Sequence, residues 1–471
     1  MRPRSGHLTL VLMLLALSGL ACNFAYGVIE EISLGDEEPS VLPAPISGET
    51  PLETPIEPRV DEVPTDPIPA PEETLPPEVI EQMEQIETEV VLLRGLQPSG
   101  PVDRTLLSEE GLRDYVVNDF FGEYTREESE DDARTLALLG LLESDFNLFD
   151  LYLDFYSEGL AGFYDPDVRE MFVVQDSQFG GPERLTYAHE YAHVLQDQVF
   201  DIREGLDWSD EACEDESERC AAVQALIEGD ATLLEERWLL TYASDADFQQ
   251  LLDFYDSYSS PTFDSAPEYL KRDFLFPYST GFEFVEGVFL DGGWAAVDAL
   301  YANPPVSTEQ ILHPERYPRD TPVDLVVPEL LDTLGPAWRE LDRDVLGEWF
   351  TFLTLTEYLP EELVQPAAEG WGGDYYLALS NDEEGHEVLV LGSAWDTVRD
   401  AHDFYGAFRD YGDARFGERT LSSTTRSIWE SRSQWSSIEI IGDQTLWILA
   451  PNIEVGETIR ESLAFPAERA E

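Results

Sequence analysis

Residues 182–199 have the sequence PERLTYAHEYAHVLQDQV, and this stretch constrains the fold and the chemistry of the chain more than any other. Pro182 and Glu183 favour the first turn of a helix, and neither Gly nor Pro interrupts the segment from residue 184 onward. Apolar side chains recur along it at helical spacing, at Leu185, Ala188, Ala192, Leu195 and Val199. The pattern predicts an amphipathic helix with one face in the core.

Two of the six histidines in the 471-residue chain lie in this helix, within the motif His189-Glu190-Tyr191-Ala192-His193. On a helix, a spacing of four puts both imidazoles on one face, about one turn apart. Two neutral imidazoles at that separation can share one zinc ion, and Glu190 then lies where a general base for a zinc-bound water is needed. The same letters also arise by chance, but in this helical context they predict a metal-dependent hydrolase, most naturally a peptidase.

A catalytic zinc site needs a third protein ligand and one open position. We predict Glu228 as that ligand, on a second apolar-striped helix from about residue 221 to 240. Glu235 and Glu236 are rivals, but the charged stretch that contains them indicates a solvated turn. Gly229 costs about 1 kcal/mol relative to Ala within a helix, and we expect it to permit close approach of the two zinc-bearing helices.

Other side chains would orient the ligands or stabilise the transition state. Ligating histidines usually donate their second ring N–H to an acid or a carbonyl, and Asp197 and Asp230 are predicted for that role, with ordinary surface acids as the alternative. His313 lies in a turn-rich segment, as either an oxyanion donor near the zinc or a structural loop histidine. The side chains that could share the work on the oxyanion are Tyr278, Tyr317 and Glu309.

An ordered set of motifs resembles that of a family of exported prokaryotic zinc metallopeptidases of gluzincin type, over a match from about Val79 to the C-terminus. The motifs are GFYDP (162–166), HEYAHVLQDQ (189–198), EGDA (228–231), STEQILHPERY (307–317) and GWGGD (370–374). The ordered combination is far more specific than the five-residue motif alone.

The resemblance implies that His189, His193 and Glu228 bind zinc. It implies in addition that Glu190 is the catalytic acid and base. The family's substrate does not carry over to this chain, and from the peptidase chemistry we expect a peptide or protein substrate. In thermolysin, which has the same type of site, an aspartate lies four positions after the ligand glutamate. Here that position is Thr232, so we expect the ligand histidines to be oriented differently.

The predicted fold class is α+β. A zincin-like metallopeptidase domain is expected at 78–365, with a mixed sheet, the histidine-bearing helix and the glutamate-bearing helix. In zincin folds a strand just before the histidine helix forms a sheet edge to which substrate can add. Here residues 162–174 predict a hairpin with a turn at Asp165 to Arg169, which is either that edge or an ordinary hairpin. Residues 366–471 predict a small α+β domain with the order β-β-α-β-β-α.

The chain is strongly acidic, with 98 Asp and Glu against 27 Lys and Arg, which gives a net charge of −71. A surface of this sign excludes binding to nucleic acid through phosphates and is repelled by anionic lipid. Lys271 is the only lysine. A high-salt habitat and a compositional bias of the genome are alternative explanations for this composition.

The N-terminus predicts export. Arg2 and Arg4 precede an apolar run from Leu8 to Leu20 that is too short to span a bilayer, and Cys22 follows small residues. We expect residues 1–22 to be a signal peptide with a lipid anchor at Cys22, although ordinary cleavage nearby is the alternative. Residues 23–77 form a Pro- and acid-rich linker, so the protein is expected at the cell surface or in the periplasm.

The remaining cysteines, Cys213 and Cys220, are expected to form a disulfide outside the cytoplasm, with a zinc-binding pair as the weaker alternative. Two functions from different classes stay open at this point. One is an exported zinc peptidase, and the other is a catalytically inactive zincin-like protein that binds or scaffolds partners at the cell surface. The intact Glu190 favours the peptidase.

Overall fold

The computed structural model describes residues 75–120, 124–157, 162–174, 179–213 and 216–469. The predicted signal peptide at 1–22, its lipidation site Cys22 and the predicted linker as far as residue 74 lie outside the described residues. In the described parts of the chain, we find no helix that combines the length and the apolar character needed to cross a membrane.

Helices predominate among the described elements. The helices are α1 (Pro77–Arg94), α2 (Glu109–Tyr115), α3 (Arg126–Leu139), α4 (Leu148–Ser157), α5 (Gly181–Phe200), α6 (Ile202–Gly205), α7 (Asp210–Cys213), α8 (Ser217–Tyr242), α9 (Asp245–Ser257), α10 (Pro261–Ser265), α11 (Glu268–Gly292), α12 (Trp294–Ala302), α13 (Thr308–Leu312), α14 (Leu331–Leu334), α15 (Gly347–Thr356), α16 (Glu361–Ala368), α17 (Val398–Phe416) and α18 (Ile453–Ser462). The strands are β1 (Asp103–Leu107), β2 (Gly162–Asp165), β3 (Glu170–Val174), β4 (Arg339–Asp344), β5 (Trp371–Asn381), β6 (His386–Trp395), β7 (Leu421–Ser422), β8 (Arg426–Glu430), β9 (Trp435–Ile441) and β10 (Gln444–Ala450).

A small three-stranded sheet precedes the histidine-bearing helix α5. Its order is β1-β3-β2, with β1 parallel to β3 and β2 antiparallel to β3 in the register Gly162↔Val173. The predicted hairpin is therefore confirmed, and β2 is an edge strand of this sheet.

A seven-stranded antiparallel sheet dominates the C-terminal part, in the order β4-β5-β6-β10-β9-β8-β7. One face packs against α15 and α17 and the other against α18, so the central strands are buried on both sides. Two sheets with helices packed around them confirm the α+β class. The predicted order lacked β4, β7 and β8, and the predicted boundary at 365 and 366 falls inside α16.

Helix α3 packs against this large sheet although it lies far upstream in the sequence. Arg415 Nη2 donates hydrogen bonds to the carbonyls of Ala137 and Leu138, both at 2.9 Å, and the Tyr411 hydroxyl donates to the carbonyl of Leu139. Arg134 pairs with Glu387 of β6 at 2.6 Å. The hydrogen bonds from Arg415 and Tyr411 close the C-terminal end of α3 with donors from α17.

Helix α5 begins as the sequence predicts. The backbone N–H of Gly180 donates to Glu183 in a capping arrangement, and Pro182 occupies the first turn. The predicted apolar stripe is buried as far as Leu195. Val199 is an exception at 42% exposure, because the helix ends at the next residue and its last turn leaves the core.

The close approach expected at Gly229 does occur, but with a different helix. A Cβ on Gly229 would lie 2.2 Å from the carbonyl oxygen of Gly281 in α11, and a Cβ on Gly281 would lie 2.3 Å from the carbonyl oxygen of Ala225. The expectation that Gly229 brings the two zinc-bearing helices together was wrong. The missing side chains instead let α8 and α11 cross in backbone contact.

Cys213 and Cys220 are joined by a disulfide, with their Cα atoms 5.7 Å apart. Both cysteines are buried. The bond links α7 to the first turn of α8, the helix that carries Glu228.

Candidate metal centre

Helices α5 and α8 bring together the three side chains predicted to bind a metal. His189, His193 and Glu228 each offer one ligand atom, and these atoms all lie within 4.8 Å of one another. Glu228 Oε2 is 3.1 Å from His189 Nε2 and 3.4 Å from His193 Nε2. All three residues are 0% exposed, so the convergence takes place inside the protein.

The donor atoms at this point fit a metal ion better than they fit one another. In the described parts of the chain, neither His193 Nε2 nor Glu228 Oε1 has a hydrogen-bond partner. A buried polar atom without a partner costs about 1–3 kcal/mol. Two imidazole nitrogens and a carboxylate form the set that zinc takes in catalytic sites with one open position. The residues therefore fit a zinc ion.

The second ring nitrogen of His189 is held by Glu235. His189 Nδ1 lies 2.8 Å from Glu235 Oε2, and Glu235 is 3% exposed. The prediction of a solvated turn around Glu235 was wrong, because α8 continues to Tyr242. Glu235 follows Glu228 by seven residues, which is two helical turns, so both carboxylates lie on the same face of α8. That spacing was the signal in the sequence.

The second ring nitrogen of His193 is held by Gln196, which the sequence did not single out. His193 Nδ1 lies 2.8 Å from Gln196 Oε1, and Gln196 Nε2 donates to Asp230 Oδ2 at 3.2 Å. Asp230 thus supports His193 through an intermediate residue. Asp197 has another role, because it accepts a hydrogen bond from the Tyr164 hydroxyl at 2.8 Å.

Burial and neighbouring charges act in opposite directions on the ligands. Burial lowers the pKa of His189, but the hydrogen bonds and charges of Glu228 and Glu235 outweigh it and raise that pKa to about 10. Burial raises the pKa of Glu228, but the charges of His193 and His189, together with the hydrogen bond to His189, bring it below its ordinary value. Surroundings that stabilise a positive charge here also favour a metal cation.

Glu190 lies between the two ligand histidines in sequence and contacts the small sheet. It is 1% exposed, and its Oε2 accepts a hydrogen bond from the backbone N–H of Tyr164 in β2 at 2.9 Å. The edge strand and the carboxylate of the motif are therefore in direct contact. A carboxylate held beside a metal site can accept and return a proton.

His313 lies in a different group of contacts. Its Nε2 is 2.8 Å from Glu348 Oε1, and no contact among the described residues joins it to His189, His193 or Glu228. Its role on the oxyanion stays a prediction.

The three other side chains considered for the oxyanion are placed differently from one another. The ring of Tyr278, on α11, has its centroid 6.2 Å from that of His189. The hydroxyl of Tyr317 bonds to the carbonyl of Asn303, and Glu309 pairs with Arg316. Of these three side chains, Tyr278 therefore lies next to a predicted metal ligand.

Comparison with known proteins bears on the C-terminal part. Residues 334–460 match the model of a family described as a domain of unknown function, DUF8575. The match begins just before β4 and ends within α18, so it covers the large sheet and leaves α5 and α8 outside. No curated protein and no solved structure matches the chain. The chain is therefore similar to DUF8575 over the stretch that contains the large sheet.

Proposed function

We propose that this protein is an exported zinc metallopeptidase with a gluzincin-type site in a zincin-like domain. The observation that carries the proposal is the convergence of His189, His193 and Glu228 within 4.8 Å, in a buried position beside Glu190. The motif resemblance supports the same assignment. His193 Nε2 is buried and has no hydrogen bond among the described residues, which adds a physical reason for a cation at this point.

A zinc ion held by these three residues would supply Lewis-acid activation of a water molecule at neutral pH. Glu190 accepts the proton of the attacking water and then delivers it to the leaving amine, so the proton count balances over the reaction. The N–H of Tyr164 restrains one oxygen of that carboxylate. Glu235 and Gln196 keep the ligand imidazoles in one orientation by accepting from their Nδ1–H groups.

Strand β2 supports a substrate-binding role for the small sheet. It is an edge strand, and its residue Tyr164 contacts Glu190 directly. An extended peptide that pairs with β2 would run past the carboxylate that has to act on it. We infer a peptide or protein substrate, bound as an additional strand.

The proposed location follows from the N-terminal sequence. The predicted signal peptide, the lipid anchor at Cys22 and the linker would hold the folded part on the order of 100 Å from a membrane, at about 3 Å per extended residue. The disulfide between Cys213 and Cys220 suits an oxidising compartment. We place the protein at the cell surface or in the periplasm.

Metal analysis of the full chain tests the proposal. We expect one zinc ion per molecule, and we expect the variant Glu228→Ala to lose it, because two imidazoles alone leave the site incomplete. Glu236→Ala is the matched control, since Glu236 is half-buried on the same helix. Zinc retained in Glu228→Ala at wild-type stoichiometry would contradict the ligand assignment.

Glu190→Gln tests the chemistry separately from the metal. Loss of the general base is expected to lower the rate of peptide hydrolysis by about 10²–10⁴-fold, while zinc stays bound. Casein or a peptide library serves as substrate, and the zinc content of the variant is measured in parallel. Full activity of Glu190→Gln would rule out the mechanism.

A second function, binding without hydrolysis, is favoured by one observation. His189, Glu190, His193 and Glu228 are each at most 1% exposed, so no open path to the site is evident at these side chains. An inactive zincin-like surface protein would bind zinc in the wild type and cleave no member of the library. Cleavage by the wild type that is lost in Glu190→Gln decides for the peptidase.

A further inference from the structure

The metal centre is connected to the first described helix through a buried arginine. Arg94, the last residue of α1, is 2% exposed, and its Nε and Nη2 donate to the two carboxylate oxygens of Asp230 at 2.9 and 3.1 Å. Arg94 Nη1 also pairs with Asp298 at 2.7 Å, and its guanidinium lies 4.5 Å from the ring centroid of Trp294. Such two-pronged pairing is the strongest kind that a carboxylate makes.

Asp230 in turn accepts a hydrogen bond from the side-chain amide of Gln196. Gln196 Nε2 donates to Asp230 Oδ2 at 3.2 Å and to the carbonyl oxygen of Ile227 at 3.0 Å. A carbonyl oxygen only accepts, and an ionised carboxylate only accepts. The amide NH₂ must therefore point at Ile227 and Asp230, and the amide oxygen must point at His193.

The orientation of Gln196 in turn fixes the tautomer of His193. His193 Nδ1 lies 2.8 Å from Gln196 Oε1, which can only accept, so the proton of the neutral imidazole is on Nδ1. The lone pair is then on Nε2, the atom that lies near Glu228 without a hydrogen bond among the described residues. This is the tautomer that a metal ion at the site requires.

Arg94 holds the side chains of Asp230, Gln196 and His193 in one set of orientations. Without it, the Asp230 carboxylate would lose the two donors that fix its orientation, and its Oδ2 would no longer be held opposite Gln196 Nε2. The contact with the carbonyl oxygen of Ile227 would then be the remaining constraint on the amide of Gln196. The opposite amide orientation would put an N–H against His193 Nδ1 and move the imidazole proton to Nε2.

We propose that Arg94 is a positioning residue for the metal-binding tautomer of His193, acting through Asp230 and Gln196, and that α1 is thereby a functional part of the metal centre. The inference rests on the proposed zinc site and deepens it. Asp230, Gln196 and His193 belong to the family motifs, whereas Arg94 lies outside all five.

The test is zinc affinity of the full chain, measured by competition with a chromophoric chelator. Arg94→Met is expected to weaken zinc binding by about 10–100-fold, as is typical when the partners of ligand residues are removed. Arg94→Lys is expected to recover most of the affinity, because it keeps a positive charge beside Asp230. Visible absorption of the cobalt-substituted proteins should show altered ligand geometry in Arg94→Met alone.

Arg104→Met is the matched control. Arg104 is also a partly buried arginine that contacts α1, through Glu87, and α5, through the Tyr187 hydroxyl at 2.8 Å, but it does not reach His193 or its partners. We expect a lower unfolding midpoint in this variant and unchanged zinc affinity. Equal losses of zinc affinity in Arg104→Met and Arg94→Met would overturn the proposal, and so would wild-type affinity in a folded Arg94→Met.

A double variant keeps the test decisive if Arg94→Met does not fold. Combining Arg94→Met with Asp230→Asn removes the unpaired buried charge and still offers Gln196 an amide oxygen as acceptor. We expect it to fold and to bind zinc close to the wild-type level, and a folded double variant that binds zinc poorly overturns the route through Asp230. A wild type that binds no zinc overturns this inference together with the proposed function.

Discussion

Each ring nitrogen of the two motif histidines has its own place in the proposed site. The Nε2 atoms point toward Glu228, and the Nδ1 atoms are held by Glu235 and Gln196. Holding the outer nitrogen matters because it selects the tautomer and limits ring rotation before the metal arrives. The pair of partners is mixed, one acid and one amide, so the two imidazoles are not in equivalent electrostatic surroundings.

Glu235→Ala tests the acid of this pair. We expect zinc affinity to fall by about 10–100-fold because His189 Nδ1 loses its acceptor. Glu235→Gln should bind zinc within a few-fold of wild type, because its amide oxygen can still accept, and Glu236→Ala is the control on the same helix. Chelator competition gives the affinities. A Glu235→Ala protein with wild-type affinity would show that the contact does not position His189.

At this scale the sequence predicted three side chains that converge, but not the partners that hold them. His189 and His193 could be predicted because their spacing on one helix is a local property, and Glu228 because it lies on a second helix with an apolar stripe. The role of Glu235 was missed because its charged neighbours suggested water, whereas its burial depends on what α5 places against α8. Gln196 was missed because an amide carries no distinctive signal until its two acceptors are known.

Among the elements, the crossing of α8 and α11 has the tightest backbone contact near the site. Gly229 is the residue after Glu228, so the position of the ligand depends on how closely the helices approach. Glycine is ordinarily a poor helix residue. Here any larger residue would have to push the two backbones apart.

Gly229→Ala is therefore expected to destabilise the protein, although the same change usually stabilises a helix by about 1 kcal/mol. Overpacking of this kind costs about 1–3 kcal/mol, and zinc affinity should fall as Glu228 moves. Gly287→Ala in α11 is the control, since a Cβ there meets no atom within 4 Å. Denaturant unfolding compares the two, and equal stabilisation by both changes would refute the argument.

Prediction of elements from sequence succeeded where patterns are local and failed where tertiary contacts decide. Helices α5 and α8 and the hairpin of β2 and β3 follow from apolar periodicity and turn residues. Strand β4 has the sequence RELDRD, which does not indicate a strand. It is one because Leu341 is buried and Asp342, also buried, accepts a hydrogen bond from the Tyr376 hydroxyl at 2.6 Å.

On the scale of the whole molecule, acidity extends into the interior. At the start of α8, the carboxyl of Glu218 is buried against α13 and accepts hydrogen bonds from the backbone N–H of Thr308 at 2.7 Å and from its hydroxyl at 2.8 and 3.1 Å. Burial, opposed by these hydrogen bonds, raises the pKa of Glu218 to about 8. Burial also raises the pKa of Asp344 to about 7 and that of Asp374 to about 6.

These shifts predict that stability falls as the pH rises. Between pH 4.5 and about 8, the folded protein keeps a proton on Glu218 that the unfolded chain has already lost. The loss of stability is therefore progressive across this window and complete above it, on the order of a few kcal/mol. Thermal unfolding at pH 5.5 and 9 should show the difference.

Glu218→Gln isolates this group, because glutamine stays neutral and still accepts from Thr308. The variant should lose less stability than the wild type between the two pH values. Glu81→Gln removes an exposed carboxyl from α1 and serves as the control for net charge. An unchanged pH dependence in Glu218→Gln would assign the effect to general charge repulsion instead.

The contact between α3 and α17 limits how this molecule could be divided into fragments. The stretch that matches DUF8575 is continuous in sequence, yet its α17 closes the end of a helix outside that stretch, and the bonded residues Tyr411 and Leu139 are 272 positions apart. A fragment of residues 334–460 would therefore present an uncovered apolar surface and unsatisfied donors. A chain that carried this module without α3 would need another segment to cover that surface.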